Sequence, residues 1–110
     1  GFSRDWGYTG MKALLQEGVD AVFAASDLIA VGAMQAIQEA GRRIPDDIAI
    51  IGFDDLPVAT QLKPSLTTIR QPIAEKAAQA TSVLLGLIEG TMEPPVQILL
   101  PTQLIIRESA

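Results

Sequence analysis

The chain has 110 residues, 48% of them hydrophobic, with neither cysteine nor histidine and a formal net charge of −5. That describes one domain with a real core, and it excludes a disulfide framework, a thiolate metal site and the Ser/His/Asp and Cys/His catalytic groups. The basic residues are scattered apart from Arg42 and Arg43, so the chain offers no clustered positive surface for a phosphate backbone and is not expected to bind nucleic acid by itself.

Gly1 to Gly7 reads as an entry segment. It places Phe2 and Trp6 at a terminus with little chain to cover them, which suggests a piece of something longer. From about Tyr8 to Glu17, Tyr8, Met11, Leu14 and Leu15 recur at helical spacing, and Gly18 supplies a stop. Ala21 to Ala25 predicts a short buried strand. Leu28 to Ala40 predicts a helix, with Asp27 as its N-cap because a carboxylate there accepts from first-turn amides, an interaction worth ~1 kcal/mol. Ile44 to Asp47 forms a proline-containing turn.

The run Ile48 to Ile51 predicts a strand buried on both faces, and it stops at Gly52, Phe53, Asp54 and Asp55, so charge gathers at its carboxyl end. Leu56 to Pro64 reads as irregular, with room for one helical turn between its prolines. Leu66 to Arg70 is β-prone. Pro72 suits a helix start, and Ile73 to Glu89 is the longest helical segment, apolar along Ala77, Ala80, Val83, Leu84, Leu87 and Ile88 and closed by Gly90. Pro94 and Pro95 break the chain. Val96 to Ile106 reads as a strand pair or one bent strand, with Pro101 at an edge or bend. Gly7, Gly10, Gly18, Gly41 and Gly90 read as turn and cap glycines, whereas Gly32 and Gly86 fall inside predicted helices and imply close packing by another element.

Alternating helices and strands predict an α/β fold on a parallel sheet. Only two helices precede the last strands, so the unit is expected to be incomplete. Ligands of open α/β sheets sit beyond the carboxyl ends of the strands, and three polar residues fall there. Asp54 either closes the turn or accepts from ligand hydroxyls. Ser26 either caps the helix or points a hydroxyl at the same place, and Gln71, directly after a strand, carries the same alternatives. Phe2, Trp6 and Phe53 serve as packing or as aromatic faces for a sugar or base, with packing favoured for Trp6 and Phe53. Adjacent Asp54 and Asp55 diverge on extended backbone and make a poor acid/base pair. Asp27, Asp54 and Asp55 are a thin ligand set for a divalent cation, and there is no glycine-rich phosphate loop. The expectation is no enzyme, no metal and no cofactor.

In order, Asp20 to Asp27, then Ala30, Gly32, Ala33 and Met34, then Glu39 to Gly41, Ile44 to Asp47, Ile51 to Asp55, Leu66 to Pro72 and the ending Leu100 to Ser109 strongly resemble the lactose/galactose-repressor family of bacterial transcriptional regulators, over nearly the whole chain. The resemblance implies the C-terminal part of a periplasmic-binding-protein-like, three-layer α/β/α effector domain. In such a domain a small molecule, usually a sugar or nucleoside-type metabolite, is held between two subdomains and controls the DNA binding of a dimer allosterically. Carried over by position, Asp54 is the acceptor for ligand hydroxyls, Ser26 the polar residue after the strand, Phe2 the pocket aromatic, and Gln71 and Ile73 positions near the hinge that reach the cleft. The helix from Asp27 to Ala40 and the loop from Leu56 to Pro64 resemble the family's dimer surface.

The DNA-binding headpiece, the hinge helix and nearly all of the N-terminal subdomain have no counterpart in these residues. DNA is therefore a partner only through a headpiece outside this chain, and the apolar face of the helix from Ile73 must fold back on the sheet, pair with another copy or stay exposed. No apolar run approaches the ~18–20 residues of a membrane span and no signal peptide is visible, so no membrane partner is expected and the expected location is cytoplasmic. The competing readings are a fragment of a periplasmic sugar-binding transport component and a metal-dependent hydrolase using Asp27 and Asp54.

Overall fold

The computed structural model describes residues 1–110 and divides into two compact units, residues 1–70 with 103–110, and residues 71–102. The first contains α1 (Phe2–Leu15), β1 (Ala21–Phe23), α2 (Asp27–Glu39), β2 (Ala49–Phe53), α3 (Val58–Gln61) and β3 (Thr67–Arg70); α4 (Ile73–Glu89) belongs to the second, and β4 (Gln103–Ile105) returns to the first. The sheet runs in the order β1-β2-β3-β4. Its first three strands are parallel, with Phe23 opposite Ile51 and Ile51 opposite Thr67. The α/β fold with a parallel sheet is therefore as expected for three strands.

β4 departs from it, running antiparallel to β3 with Thr68 opposite Ile105. An antiparallel edge on an otherwise parallel sheet is common in α/β folds. Of the predicted strand over Val96 to Ile106 only Gln103–Ile105 forms. Pro101, which has no amide to donate, stays just outside this edge strand.

α1 begins at Phe2, not near Tyr8, so Gly7 and Gly10 lie inside a helix and are not turn residues. Gly7 has a packing reason. A Cβ built on Gly7 would run into the carbonyl oxygen of Ile29 in α2, and one built on Gly32 into the carbonyl oxygen of Arg4 in α1. The two helices thus meet backbone to backbone at reciprocal glycines, and this accounts for the glycine predicted inside α2. Met11, Ala30, Ala33 and Ile37 are buried around that crossing.

Along β2, Ile50 and Gly52 are buried, while Ala49, Ile51 and Phe53 on the opposite face are only half-buried. The expected burial on both faces holds for one of them. On the more open face Phe23 meets Phe53 edge-on at 6.4 Å, and Phe23 remains 59% exposed. Gly18, Gly41 and Gly90 take positive φ, as helix-ending glycines do.

In the second unit, α4 spans the predicted residues and ends at Gly90, whose φ of 78° lets the amides of Thr91 and Met92 turn back onto the Gly86 carbonyl at 2.9 and 3.1 Å. Met92 then covers Gly86, where a Cβ would meet its Cγ at 2.8 Å. Ala80, Val83, Leu84 and Leu87 line a groove of about 370 Å³ with Val96, Ile98 and Leu100. Of the three fates open to the apolar residues of α4, Leu84, Leu85 and Ile88 show exposure. No helix is long and apolar enough to cross a membrane.

The glycine crossing yields a paired test. Gly32→Ala places a methyl against a backbone carbonyl that cannot rotate away, and is expected to cost about 1–3 kcal/mol. Gly10→Ala, in the same helix as Gly7 but with nothing within 4 Å of its Cβ, is expected to stabilise by about 0.5–1 kcal/mol. Urea unfolding followed by far-UV circular dichroism measures both, and equal midpoints for the two variants would contradict the backbone contact.

Candidate ligand-binding site

The carboxyl ends of β1 and β2 lie side by side, and each is followed by a pair of polar residues. After β1, Ser26 is extended (φ −154°) and its hydroxyl accepts from the Ile29 amide at 3.2 Å. Ser26 is therefore the N-cap of α2, and the expectation that Asp27 would be the cap is corrected. A short hydroxyl at that position reaches the third amide of the helix, while the next residue, already helical, turns inward.

Asp27 is fully buried. One carboxylate oxygen accepts from the Thr68 hydroxyl in β3 at 2.6 Å, and the other from the Leu56 amide at 2.6 Å. A buried carboxylate is tolerable only when hydrogen-bonded in this way. Space for it exists because residue 52 is glycine: a Cβ there would collide with the Asp27 oxygen and approach a Leu66 methyl at 2.8 Å. With both oxygens engaged by protein donors, Asp27 serves the fold as a structural carboxylate.

After β2 the chain turns sharply, so Asp54 and Asp55 do not lie on the extended backbone expected for them. Their φ values are 113° and 57°, a region that residues with a Cβ seldom adopt. The Asp54 amide donates to the Ile69 carbonyl at 2.8 Å, and Asp54 is half-buried. Asp55 is held harder. One of its oxygens lies 2.8 Å from Arg107 Nη2 and the other 2.7 Å from Arg70 Nε, and its side chain is 8% exposed. Burial pushes the Asp55 carboxyl up, but the hydrogen bonds and charges of Arg107 and Arg70 outweigh burial and hold it below the usual carboxylate range. Its amide also points at Thr68 Oγ1 at 3.4 Å, the hydroxyl that donates to Asp27.

The C-terminal residues brace this edge. Arg107 donates to the Leu66 carbonyl at 2.9 Å through Nη1 and to the Thr67 hydroxyl at 2.7 Å through its amide. The buried Ser109 hydroxyl donates to the Ile50 carbonyl at 2.6 Å and accepts from the Thr67 amide at 2.8 Å.

Of the five candidate residues, Ser26 follows β1 and Asp54 follows β2, neighbouring strands of the sheet. Phe2 stands on the first turn of α1, 79% exposed, with its ring edge-on to Trp6 at 5.8 Å. Trp6 is itself 66% exposed, so the packing role favoured for it is corrected: this chain supplies little to bury it. Gln71 and Ile73 belong to the second unit. There the Gln71 side-chain oxygen accepts from Lys76 at 2.6 Å, its carbonyl accepts from the Ile73 amide at 2.9 Å, and Ile73 is 62% exposed. The anchoring residues Asp55, Thr68, Arg70 and Arg107 went unrecognised in the sequence. An arginine ending a strand carries no sign of the carboxylate it will meet 15 or 52 residues away.

The family description "Periplasmic binding protein-like domain" matches residues 3–110. The transcriptional regulator CelR of Thermobifida fusca is 39% identical over 110 residues, covering 98% of this chain and 32% of that protein. The lactose operon repressor of Rhizobium radiobacter is 42% identical over 106 residues, covering 94% of this chain and 93% of that sequence. Among solved structures, the CelR–cellobiose complex superposes with a TM-score of 0.90 at 38% identity, over 97% of this chain and 33% of that one. The lac repressor dimer bound to operator and the anti-inducer ONPF gives 0.85 at 34% identity, over 96% and 37%. The chain spans about a third of the length of CelR.

The arginine grip on Asp55 has a signed pH dependence. Because its folded pKa lies below the unfolded value of about 3.9, its contribution to stability is complete above that pH and is lost as pH falls through the lower folded value. The stability gap between wild type and Asp55→Asn, measured by urea unfolding, is therefore expected to be widest near pH 7 and to close below about pH 4. A gap that did not change with pH would show that the carboxylate's charge contributes nothing.

Proposed function

Because the chain belongs to the periplasmic binding protein-like family, among its lactose/galactose-repressor members, we propose that it is the C-terminal part of the effector-binding domain of a sugar-responsive transcriptional regulator. The observation that carries this reading is Asp54. It is a carboxylate in a turned backbone at the carboxyl edge of a parallel sheet, in a chain that superposes on a cellobiose-bound regulator with a TM-score of 0.90. A carboxylate there accepts from two sugar hydroxyls at once, Ser26 Oγ adds a short polar contact, and the open ring of Phe2 offers an apolar face to a pyranose.

In the full-length regulator the sugar would bind one conformation of the dimer more tightly than the other, and so shift the equilibrium between operator-bound and released states. The dimer is proposed on the strength of the lac repressor, solved as a dimer on its operator; DNA contact would come from a headpiece outside these residues, and the regulator would act in the cytoplasm. Nothing in the reading calls for catalysis. The relatives CelR and the Rhizobium lactose operon repressor are regulators, not transport components, and this favours the reading over a periplasmic sugar-binding protein.

Calorimetric titration of the full-length protein with cellobiose and lactose tests it. Asp54→Ala is expected to weaken binding at least about tenfold, since a hydrogen bond to a charged group is worth ~1.5–3 kcal/mol. Phe2→Ala is expected to weaken it by about threefold to tenfold. Equal affinities for wild type and Asp54→Ala would remove Asp54 from the site, and no binding of either sugar would count against the ligand class.

A further inference from the structure

Resting on the reading of Asp54 as the ligand carboxylate, we propose that Asp55 is a positioning residue that sets ligand affinity without touching the ligand: gripped by Arg70 and Arg107, its carboxylate holds Asp54 in the turned backbone that presents it at the strand edge. Asp54 and Asp55 occupy φ values of 113° and 57°, a region in which residues with a Cβ are less at ease than glycine. The Asp54 amide donates to the Ile69 carbonyl at 2.8 Å, which ties the amino side of the residue to β3.

The carboxyl side is fixed by side chains. Two charge-assisted bonds, from Arg70 Nε at 2.7 Å and Arg107 Nη2 at 2.8 Å, engage both oxygens of Asp55, and bonds of this kind are the strong and directional ones. Arg107 cannot drift, because its Nη1 donates to the Leu66 carbonyl at 2.9 Å and its amide to Thr67 Oγ1 at 2.7 Å. The next residue along is pinned as well, its amide bound to buried Asp27 at 2.6 Å. Asp54 thus lies between anchored neighbours on both sides, and a binding group held in its bound geometry loses less freedom when ligand arrives.

The same geometry separates two roles within one Asp-Asp pair. The side chain of Asp55 is 8% exposed and committed to the arginines, so a sugar cannot displace it without leaving two cations unpaired. Arg70 is the more accessible limb, its side chain 51% exposed, and it can be altered without opening the core.

A double-mutant cycle on the full-length protein, read by calorimetric titration with cellobiose or lactose, tests the proposal. Asp55→Asn is expected to weaken binding about tenfold and Arg70→Gln about threefold, whereas in an Asp54→Ala background neither change weakens it further, because only a positioned Asp54 can be mispositioned. Arg70→Lys, which keeps the charge but donates to one point, should recover part of the Arg70→Gln loss. If Asp55→Asn fails to fold, the Arg70 variants carry the cycle. Full additivity with Asp54→Ala, or wild-type affinity in both the Asp55 and Arg70 variants, overturns the proposal while leaving Asp54 as a ligand group. Wild-type affinity in Asp54→Ala overturns the reading beneath it.

Discussion

The buried carboxylate of Asp27 is the constraint on which the rest of the first unit depends. It ties together three segments that are distant in sequence: the first turn of α2, the Thr68 hydroxyl in β3 and the Leu56 amide after β2. A buried charge without such partners costs several kcal/mol, and removing one partner from a satisfied group is among the more destabilising changes a core can suffer. The sequence around it conforms to this demand. Residue 52 has no side chain because Asp27 occupies the space, and on another side α2 closes on α1 through reciprocal glycines.

One division of labour recurs at the sheet edge. In Ser26–Asp27 and again in Asp54–Asp55, the first residue stands at the end of a strand and the second reaches back to hold the edge together. Asp27 binds β3 and the loop after β2, and Asp55 binds the arginines that end β3 and follow β4. Thr68 links the two anchors, receiving from the Asp55 amide and donating to Asp27. A recognition group set on such an edge is rigid because its neighbours in the chain are, and rigidity of this kind gives a small polar site its selectivity.

Much of the fold was legible. Ile73–Glu89 forms as its 3.6-residue apolar spacing and its closing Gly90 predict, and α2 and β2 differ from expectation only at their ends. The errors have physical causes. The start of α1 at Phe2 is hidden in the sequence because Phe2 and Trp6, with nothing visible to cover them, do not extend an amphipathic face, and in the fold they remain exposed. Gly7 reads as a turn residue because a helix-interior glycine is explained only by the helix that crosses it. β4 is shorter than its apolar run suggests because residues from Val96 onward resemble a strand, although Pro101 stands before the short paired stretch.

By itself the sequence determined the order of elements, the strand end at Asp54 and the family, since these rest on local spacing, on glycine and proline, and on motifs read along the chain. Only the tertiary structure decided what Asp27 and Asp55 bind, that Asp27 is thereby drawn inward and leaves the cap of α2 to Ser26, and that β4 runs antiparallel. Those outcomes depend on contacts between residues 13 to 59 positions apart, and partners at such separation meet only when the sheet has brought their strands together.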